Sequence, residues 1–331
     1  MKSEYNAKNF PYFCGMTKTK YHIWLGALIL LLSQCAMSHP KEEPDRQLSA
    51  MDVPLVITVP FHLTPNKMIA VQAKLDSLQG WFIFDTGSPR TMVNRRYFHP
   101  SRQRSRSYSR ITDVSGVPML GRDTYTAHEF DLQGIREEGG QYLSIEMSQM
   151  EREDGIETLG MIGAQTLQGY DVLYNYADST LTFIRPSDTD AYLAATYSAN
   201  ALHEAPLTIV EHVPCVEAKI GDDTYQLGID CGAGGGVLSQ AYRRQLANYS
   251  RPVGAIELTG ISRIPVRVTQ IEVYRLEIAG KLFTSMEFLL HNLRAMGIET
   301  EDGIDGLVGY DLLAQQKTLI STESKRVIFI D

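Results

Sequence analysis

Hydrophobic and polar residues alternate along most of the chain from Val53 onward, beginning with the stretch PLVITVPFHLT. Alternation with a period of two, rich in β-branched and aromatic residues and broken by glycine-containing turns, predicts many short strands. Helical patterns are scarce and short, and the candidates are Gln165–Gln168, Gln240–Asn248 and Tyr310–Gln315. The pattern therefore predicts an all-β chain built from barrels or sandwiches.

A series of motifs occurs twice in the same order. GWFIFDTGSPRTMVN aligns with YQLGIDCGAGGGVLS, which places Asp85 opposite Asp230 at an offset of 145 residues. Further on, MIGAQTLQGYDVLYNYADSTLTFI aligns with LVGYDLLAQQKTLISTESKRVIFI, which places Gly163 opposite Gly309 at an offset of 146. Two shorter blocks between them keep nearly the same offset: Ser115-Gly116 with Thr259-Gly260, and Phe130–Gly134 with Leu276–Gly280. Four blocks in one order predict two lobes of the same β unit, residues 52–186 and 207–331, joined by a linker at 187–206.

Each copy of the repeat has an apolar strand that ends in Asp-x-Gly and is followed by a second apolar run. Such a strand would carry its aspartate into the interior, and the glycine would permit a tight turn with close backbone approach. A two-fold arrangement would bring Asp85 and Asp230 face to face. Two adjacent carboxylates cannot both ionise at low cost, so they share a proton, a state that suits the activation of water.

These motifs resemble those of the aspartic protease clan, particularly the bacterial single-chain retropepsin-like and pepsin-like relatives of the retroviral protease. The resemblance covers nearly all of residues 52–331 and rests on DTGS at Asp85–Ser88, DCGA at Asp230–Ala233, and the two apolar-apolar-Gly elements that end at Gly163 and Gly309. It implies a bilobal acid-protease fold with a cleft between two β-barrel lobes. It also implies that Asp85 and Asp230 form the catalytic dyad.

The resemblance implies supporting roles for the other residues of the two turns, which are Thr86, Gly87, Ser88, Cys231, Gly232 and Ala233. Thr86 would brace the turns across the lobe interface, and Ser88 would tune the hydrogen bonding of Asp85. Cys231 departs from the family pattern, which has Thr or Ser there, and a thiol is the poorer donor. The implied flaps lie around Val114–Pro118 and Leu258–Pro265.

Three functions remain open on the sequence, one of them a cell-envelope scaffold that would bind acidic surfaces through the Arg/Ser run His99–Arg110. The first is an aspartic endopeptidase that uses a water nucleophile, no metal and no cofactor. The second is a catalytically inactive peptide- or envelope-binding lipoprotein that retains the fold. A phosphate loop at Gly234–Gly236 is excluded because no Lys-Ser or Lys-Thr follows, and a nucleophilic Cys231 has no histidine placed by a motif to activate it.

Only two cysteines, Cys215 and Cys231, lie in the body of the chain, too few for a disulfide framework. Counting back from a turn at Gly221-Asp222-Asp223 places Cys215 nearly opposite Asp230 and adjacent to Cys231. Paired neighbours on adjacent strands rarely suit disulfide geometry, so we expect two free buried thiols.

The N-terminal 35 residues read as a leader. The apolar run Tyr21–Leu32 follows Lys18 and Lys20, as in a signal peptide, and LLSQC resembles a lipobox that would make Cys35 a lipidation site. A plain cleaved signal and an uncleaved anchor are the alternatives, and translation would start at Met1 or Met16. Residues 36–51 read as a polar tether. The expectation is an exported protein of the bacterial cell envelope, periplasmic or on the outer membrane, held to the membrane by its lipid.

A net charge of −8 and a pI near 5.5 give no electrostatic reason to expect nucleic acid as a partner. The Arg/Ser run from His99 to Arg110 reads as a solvated loop, with contact to an acidic surface, as in an envelope scaffold, as the alternative. The expected partner is a peptide or protein substrate, and the chain is expected to be a monomer.

Overall fold

The computed structural model describes residues 30–32, 56–100, 109–112, 118–121, 123–259, 265–296, 298 and 303–331. Most of these residues lie in strands, which confirms the prediction of a mostly β chain. Several predicted features lie wholly or largely outside the described residues: Cys35, the tether 36–51, the Arg/Ser run, and the turns predicted as flaps. Of the predicted signal-peptide core, only residues 30–32 are described.

The described strands that precede residue 185 are one short strand of the predicted leader, Leu30–Leu32, followed by those of the first repeat copy. They are β1 Leu30–Leu32, β2 Val56–Leu63, β3 Ile69–Leu75, β4 Leu78–Phe84, β5 Met92–Asn94, β6 Ser109–Thr112, β7 Pro118–Gly121, β8 Thr124–Thr126, β9 Glu129–Leu132, β10 Ile135–Glu138, β11 Gln141–Ile145, β12 Thr158–Ile162, β13 Asp171–Asn175 and β14 Thr180–Ile184.

The described strands of the second copy follow residue 201. They are β15 Leu202–Val210, β16 Val213–Ile220, β17 Asp223–Ile229, β18 Gly236–Ser239, β19 Ser250–Thr259, β20 Pro265–Ile278, β21 Lys281–His291, β22 Gly306–Val308, β23 Lys317–Ser321 and β24 Arg326–Ile330. The described α-helices are α1 Ser148–Asp154, α2 Thr189–Thr196 and α3 Tyr310–Leu313, and the 3-10 helices are Ala164–Leu167, Pro186–Asp188, Ala199–Ala201, Gln240–Arg243 and Gln245–Asn248.

The two copies of the repeat pair their strands in the same pattern. In the first copy β4 runs parallel to β12, β12 antiparallel to β5, and β5 parallel to β11. In the second copy β17 runs parallel to β22, β22 antiparallel to β18, and β18 parallel to β21. The registers also correspond, because Ile83 pairs with Met161 and Gly228 with Leu307. The sequence repeat is therefore a repeat of strand pairing.

A third set of strands joins the two copies. Antiparallel pairing runs in the order β2, β14, β13, β23, β24 and β15, so that each copy contributes half of one sheet. At its centre Leu173 of β13 lies opposite Leu319 of β23, and these two residues are separated by the repeat offset of 146. β13 and β23 are equivalent strands of the two copies, and they pair antiparallel at equivalent residues. Two strands paired in this way are related by a two-fold rotation.

The largest hydrophobic core draws its side chains from both copies and from the joining sheet. The ring of Phe84, the last residue of β4, packs edge-on against Tyr174 and Phe183, with ring centroids 6.3 and 6.0 Å apart. Interiors packed in this way leave little freedom to side chains. The end of β4, from which Asp85 follows, is thereby fixed in position.

The segment predicted as a linker contains α2 between two 3-10 helices, and its last residues, from Leu202, enter β15. A separate small sheet consists of β6 between β1 and β7. In the described part of the chain, no helix has both the length and the apolar character that a membrane crossing requires.

Candidate active site

Asp85 and Asp230 occupy equivalent positions, one residue beyond the ends of β4 and β17. The Asp85 amide donates to the carbonyl of Ile162 at 3.0 Å, and the Asp230 amide donates to the carbonyl of Val308 at 2.9 Å. Both side chains are 0% exposed. The end of a buried strand and a neighbouring parallel strand therefore hold each carboxylate in the interior.

The two turns face each other, and one backbone amide contacts both carboxylates. The Gly87 amide donates to Oδ1 of Asp85 at 2.9 Å and to Oδ1 of Asp230 at 3.0 Å. The Gly232 amide donates to Oδ1 of Asp230 at 2.8 Å. The Oδ2 atoms of both aspartates are buried and, among the described residues, accept no hydrogen bond from outside the pair. The structure therefore brings the two predicted catalytic side chains together.

Each turn needs a glycine because the carboxylate of the other turn lies against it. A Cβ added at Gly87 would lie 2.5 Å from Oδ2 of Asp230, and one added at Gly232 would be closer still to Oδ1 of Asp85. Real Cβ atoms are essentially never found within 3.0 Å of a neighbouring heavy atom. The Asp-x-Gly pattern is thus required by the close approach of the two turns.

Burial raises the pKa of Asp85 well above its ordinary value, and the negative charge of Asp230 raises it further. Burial also raises the pKa of Asp230, but the amides of Gly232 and Gly87 favour its ionised form. Asp85 likewise has two amides that oppose the rise of its pKa, those of Gly87 and Ser88. The pKa of both carboxylates is raised, so the pair binds a proton more tightly than a solitary exposed aspartate does.

Thr86 and Cys231 connect the two turns. The Thr86 hydroxyl donates to Sγ of Cys231 at 3.3 Å, and the Cys231 amide donates back to Oγ1 of Thr86 at 3.1 Å. The Thr86 amide also donates to Sγ at 3.4 Å, and the thiol donates to the carbonyl of Phe84 at 3.5 Å. The brace expected at Thr86 is present, with sulfur on one side of it.

The two apolar-apolar-Gly elements pack behind the turns. A Cβ at Gly163 would lie 2.7 Å from the Ser88 carbonyl oxygen, and one at Gly309 would lie 2.8 Å from that of Asp230. The amide of Tyr310 donates to the carbonyl of Ala233 at 2.9 Å, and the first copy has the equivalent bond from residue 164 to Ser88. Ala233, Gly163 and Gly309 therefore pack directly against the backbone of the two turns that carry the aspartates.

Two expectations need correction in detail. The Ser88 hydroxyl donates to the carbonyl of Arg90 at 2.9 Å, and it is the backbone amide of Ser88 that lowers the pKa of Asp85. Cys215 pairs with Gly228, two residues before Asp230, because the turn after β16 has two residues and not three. Cys215 and Cys231 are both free and buried, and they lie in different hydrophobic clusters.

The sequence did not indicate His212, which lies in the turn between β15 and β16. Its Nε2 lies 2.8 Å from the carbonyl oxygen of Gly87. Asp311 was also missed: burial, followed by the charge of Glu287, raises its pKa to about 6 behind the second turn. The sequence around His212 does not indicate a functional role, because no motif surrounds this residue. Its contact with Gly87, 125 residues away, depends on the tertiary fold.

No protein-family model matches the chain, and no curated protein matches it. Among solved structures, the chain is similar to basic 7S globulin from soybean, with a TM-score of 0.50 and 10% sequence identity. The similarity covers 84% of this chain and 97% of that chain. The soybean protein has a pepsin-like aspartic protease fold. At this identity the likeness shows the fold alone, and it agrees with the fold that the sequence motifs resemble.

Proposed function

We propose that this protein is an aspartic endopeptidase that hydrolyses peptide bonds with a water activated by Asp85 and Asp230. The observation that carries the proposal is the Gly87 amide, which lies within 3.0 Å of an oxygen of each carboxylate. Structural aspartates at turns are ordinarily solitary caps, whereas here two fully buried carboxylates are held against each other.

With one proton shared by the pair, one carboxylate acts as the base and the other as the acid, and we assign these roles to Asp230 and Asp85. Asp230, ionised, takes a proton from a water molecule, whose oxygen attacks the carbon of the scissile carbonyl. Asp85, protonated, gives its proton to the carbonyl oxygen, and a tetrahedral diol forms. When the diol collapses, one of its hydroxyls returns a proton to Asp85, the carbon–nitrogen bond breaks, and the proton held by Asp230 passes to the leaving amine, which restores both aspartates to their starting states. Atoms and charges balance at each step.

The proposal includes the bilobal architecture. Residues 52–186 and 207–331 would form two homologous β-barrel lobes, and an extended peptide would bind in the cleft between them. The matched strand pairing of the copies and the two-fold relation of Leu173 and Leu319 support this arrangement. The likeness to the soybean protein supports it independently.

The cellular setting is proposed from the sequence. The leader of residues 1–35 would direct export, and lipidation at Cys35 would hold a monomeric enzyme at the bacterial cell envelope through the tether 36–51. Envelope peptides or proteins would then be the substrates. Globomycin-sensitive processing and incorporation of labelled palmitate at Cys35 would test this part.

A non-catalytic peptide-binding protein is the second candidate, and one observation favours it. The brace between the turns uses the thiol of Cys231, a weak donor, where a hydroxyl would hold the turns more firmly. Such a protein would bind extended peptides without cleaving them.

Incubating the purified chain with a peptide library at pH 3 to 7 separates the two candidates. The proposal expects cleavage at defined positions, blocked by a transition-state mimic of the aspartic proteases. Peptides that are retained but remain intact at every pH would favour the binding protein.

A further inference from the structure

The turn between β15 and β16 brings an imidazole to the backbone of the first candidate catalytic turn. Nε2 of His212 lies 2.8 Å from the carbonyl oxygen of Gly87. A carbonyl oxygen can only accept, so Nε2 must carry the proton. The neighbouring residue Glu211 has a positive φ of 56°, a backbone conformation that closes this turn tightly.

Gly87 is the residue whose orientation the site depends on most. Its amide holds both carboxylates, yet a glycine has the widest conformational freedom of any residue. A side chain cannot restrict it, because a Cβ would clash with Asp230. Its orientation must therefore be fixed by hydrogen bonds at both of its peptide groups, and His212 supplies the bond on the carbonyl side.

The equivalent position in the first copy of the repeat shows that this contact occurs on one side of the site only. Cys215 pairs with Gly228 in the second copy, and Ala70 pairs with Ile83 in the first, so the two hairpins match at an offset of 145 residues. At this offset the residue equivalent to His212 is Lys67. Lys67 is exposed, and its Nζ lies 5.5 Å from the centre of the Tyr310 ring. The repeat therefore does not require a histidine at this position.

We propose that His212 is a positioning residue of the dyad, whose Nε2–H binds the Gly87 carbonyl and so fixes the orientation of the residue whose amide contacts both Asp85 and Asp230. The proposal rests on the proposed function. The two sides of the site then differ. On one side the imidazole of His212 can carry a charge beside Asp230, whereas on the other side the equivalent Lys67 contacts the ring of Tyr310.

The charges around His212 determine how the contact depends on pH. Among the described residues, Glu211 adjoins it in its own turn, the charge of Asp230 acts on it from the second candidate catalytic turn, and Tyr170 and Tyr174 line the adjoining cavity of about 240 Å³. Burial lowers the pKa of His212, whereas its bond to Gly87 and the charge of Asp230 raise it. In acid, a protonated His212 would stabilise the Asp230 anion.

Kinetics of His212→Gln and His212→Ala against pH test the role. Gln can still donate to the Gly87 carbonyl but cannot carry a charge, whereas Ala does neither. We expect His212→Ala to lower kcat/KM by roughly tenfold, the size of one lost hydrogen bond, and His212→Gln to recover most of it. Both variants should move the acidic limb of the profile of kcat/KM against pH to higher pH, because the positive charge that lowers the pKa of Asp230 is lost. The control His203→Gln removes a histidine paired with Asp331 and should change neither quantity.

An NMR titration of the histidine side chains tests the proposal even if no peptide is cleaved. Labelled imidazole nitrogens of the wild-type protein should show neutral His212 as the Nε2–H tautomer, and Asp230→Asn should lower its pKa. An Nδ1–H tautomer, a His212 pKa that ignores Asp230, or Gln and Ala variants with equal kinetics would overturn the proposal. Absent cleavage in wild type would contradict only the proposed function.

Discussion

The hydroxyl of Thr86 contacts the thiol of Cys231 at 3.3 Å, and the Cys231 amide returns a hydrogen bond to the same hydroxyl at 3.1 Å. These residues are separated by 145 positions, the repeat offset, so each is the other's copy. The brace therefore lies on the two-fold relation between the turns. Both residues are buried, with exposed fractions of 7% and 1%.

Removing the acceptor from this brace should destabilise the protein. Cys231→Ala leaves the Thr86 amide and hydroxyl without the sulfur, and a buried unsatisfied donor costs about 1–3 kcal/mol. Cys231→Ser keeps a donor and acceptor at the same place and should stay closer to wild type. Urea denaturation measures the difference, and an Ala variant as stable as the Ser variant would show that the sulfur contacts contribute nothing.

Gly309→Ala should disturb the second candidate catalytic turn. A Cβ there would lie 2.8 Å from the Asp230 carbonyl oxygen and nearer still to that of Ala233, and backbone cannot yield as a side chain does. Forcing a methyl group into such a site typically costs about 1–3 kcal/mol. We expect lower stability and lower peptide turnover together.

Gly254→Ala is the matched control for this substitution. Its added Cβ would meet nothing closer than Oε1 of Gln270 at 3.9 Å. Thermal unfolding of both variants makes the comparison, and equal melting temperatures would contradict the account of how Gly309 packs.

The stability of Asp85→Asn should depend on pH in a specific direction. The pKa of Asp85 is raised in the fold from 3.8, so above that pH the native state binds more protons than the unfolded state. Wild-type stability therefore falls as pH rises from about 4 to the folded pKa. Asn has no such loss, so the advantage of Asp85→Asn over wild type should grow through that range and then level off.

Asp331→Asn provides a control of the opposite sign. Hydrogen bonds from Lys281 and His203 lower the pKa of Asp331, so its contribution to stability is present above the unfolded pKa and lost in acid. This variant should be at a disadvantage that grows as pH rises. Denaturant titrations from pH 3 to 7 measure both trends, and a pH-independent difference for Asp85→Asn would contradict the burial of an ionisable pair.

Much of the fold followed from the internal repeat. Aligning Asp85 with Asp230 and Gly163 with Gly309 predicted that the two turns are equivalent. The prediction was possible because the strands of the two copies have nearly the same lengths, so paired residues keep nearly the same sequence offset. The expected roles of the residues around the turns came from the resemblance to the aspartic protease clan and not from the alignment. The short helix predicted at Tyr310–Gln315 is α3, Tyr310–Leu313.

Other features could not be predicted from the sequence because they depend on tertiary geometry. The position of Cys215 was missed because the register of a hairpin depends on its turn length: a three-residue turn would place Cys215 opposite Ile229, and the observed two-residue turn places it opposite Gly228. His212 and Lys67 are equivalent by offset yet unlike in chemistry, so the repeat gave no reason to examine them. The rise of the Asp311 pKa to about 6 follows from burial behind the second turn.

The central claim is that Asp85 and Asp230 act together as one catalytic pair. Cleavage of a single fluorogenic peptide, selected from the library, should be measured for wild type, Asp85→Asn and Asp230→Asn, with circular dichroism to establish that each variant is folded. Each substitution should lower kcat by roughly 10²–10⁴-fold or more, the contribution of a positioned acid or base. A folded variant of either aspartate that cleaves at the wild-type rate would contradict the claim.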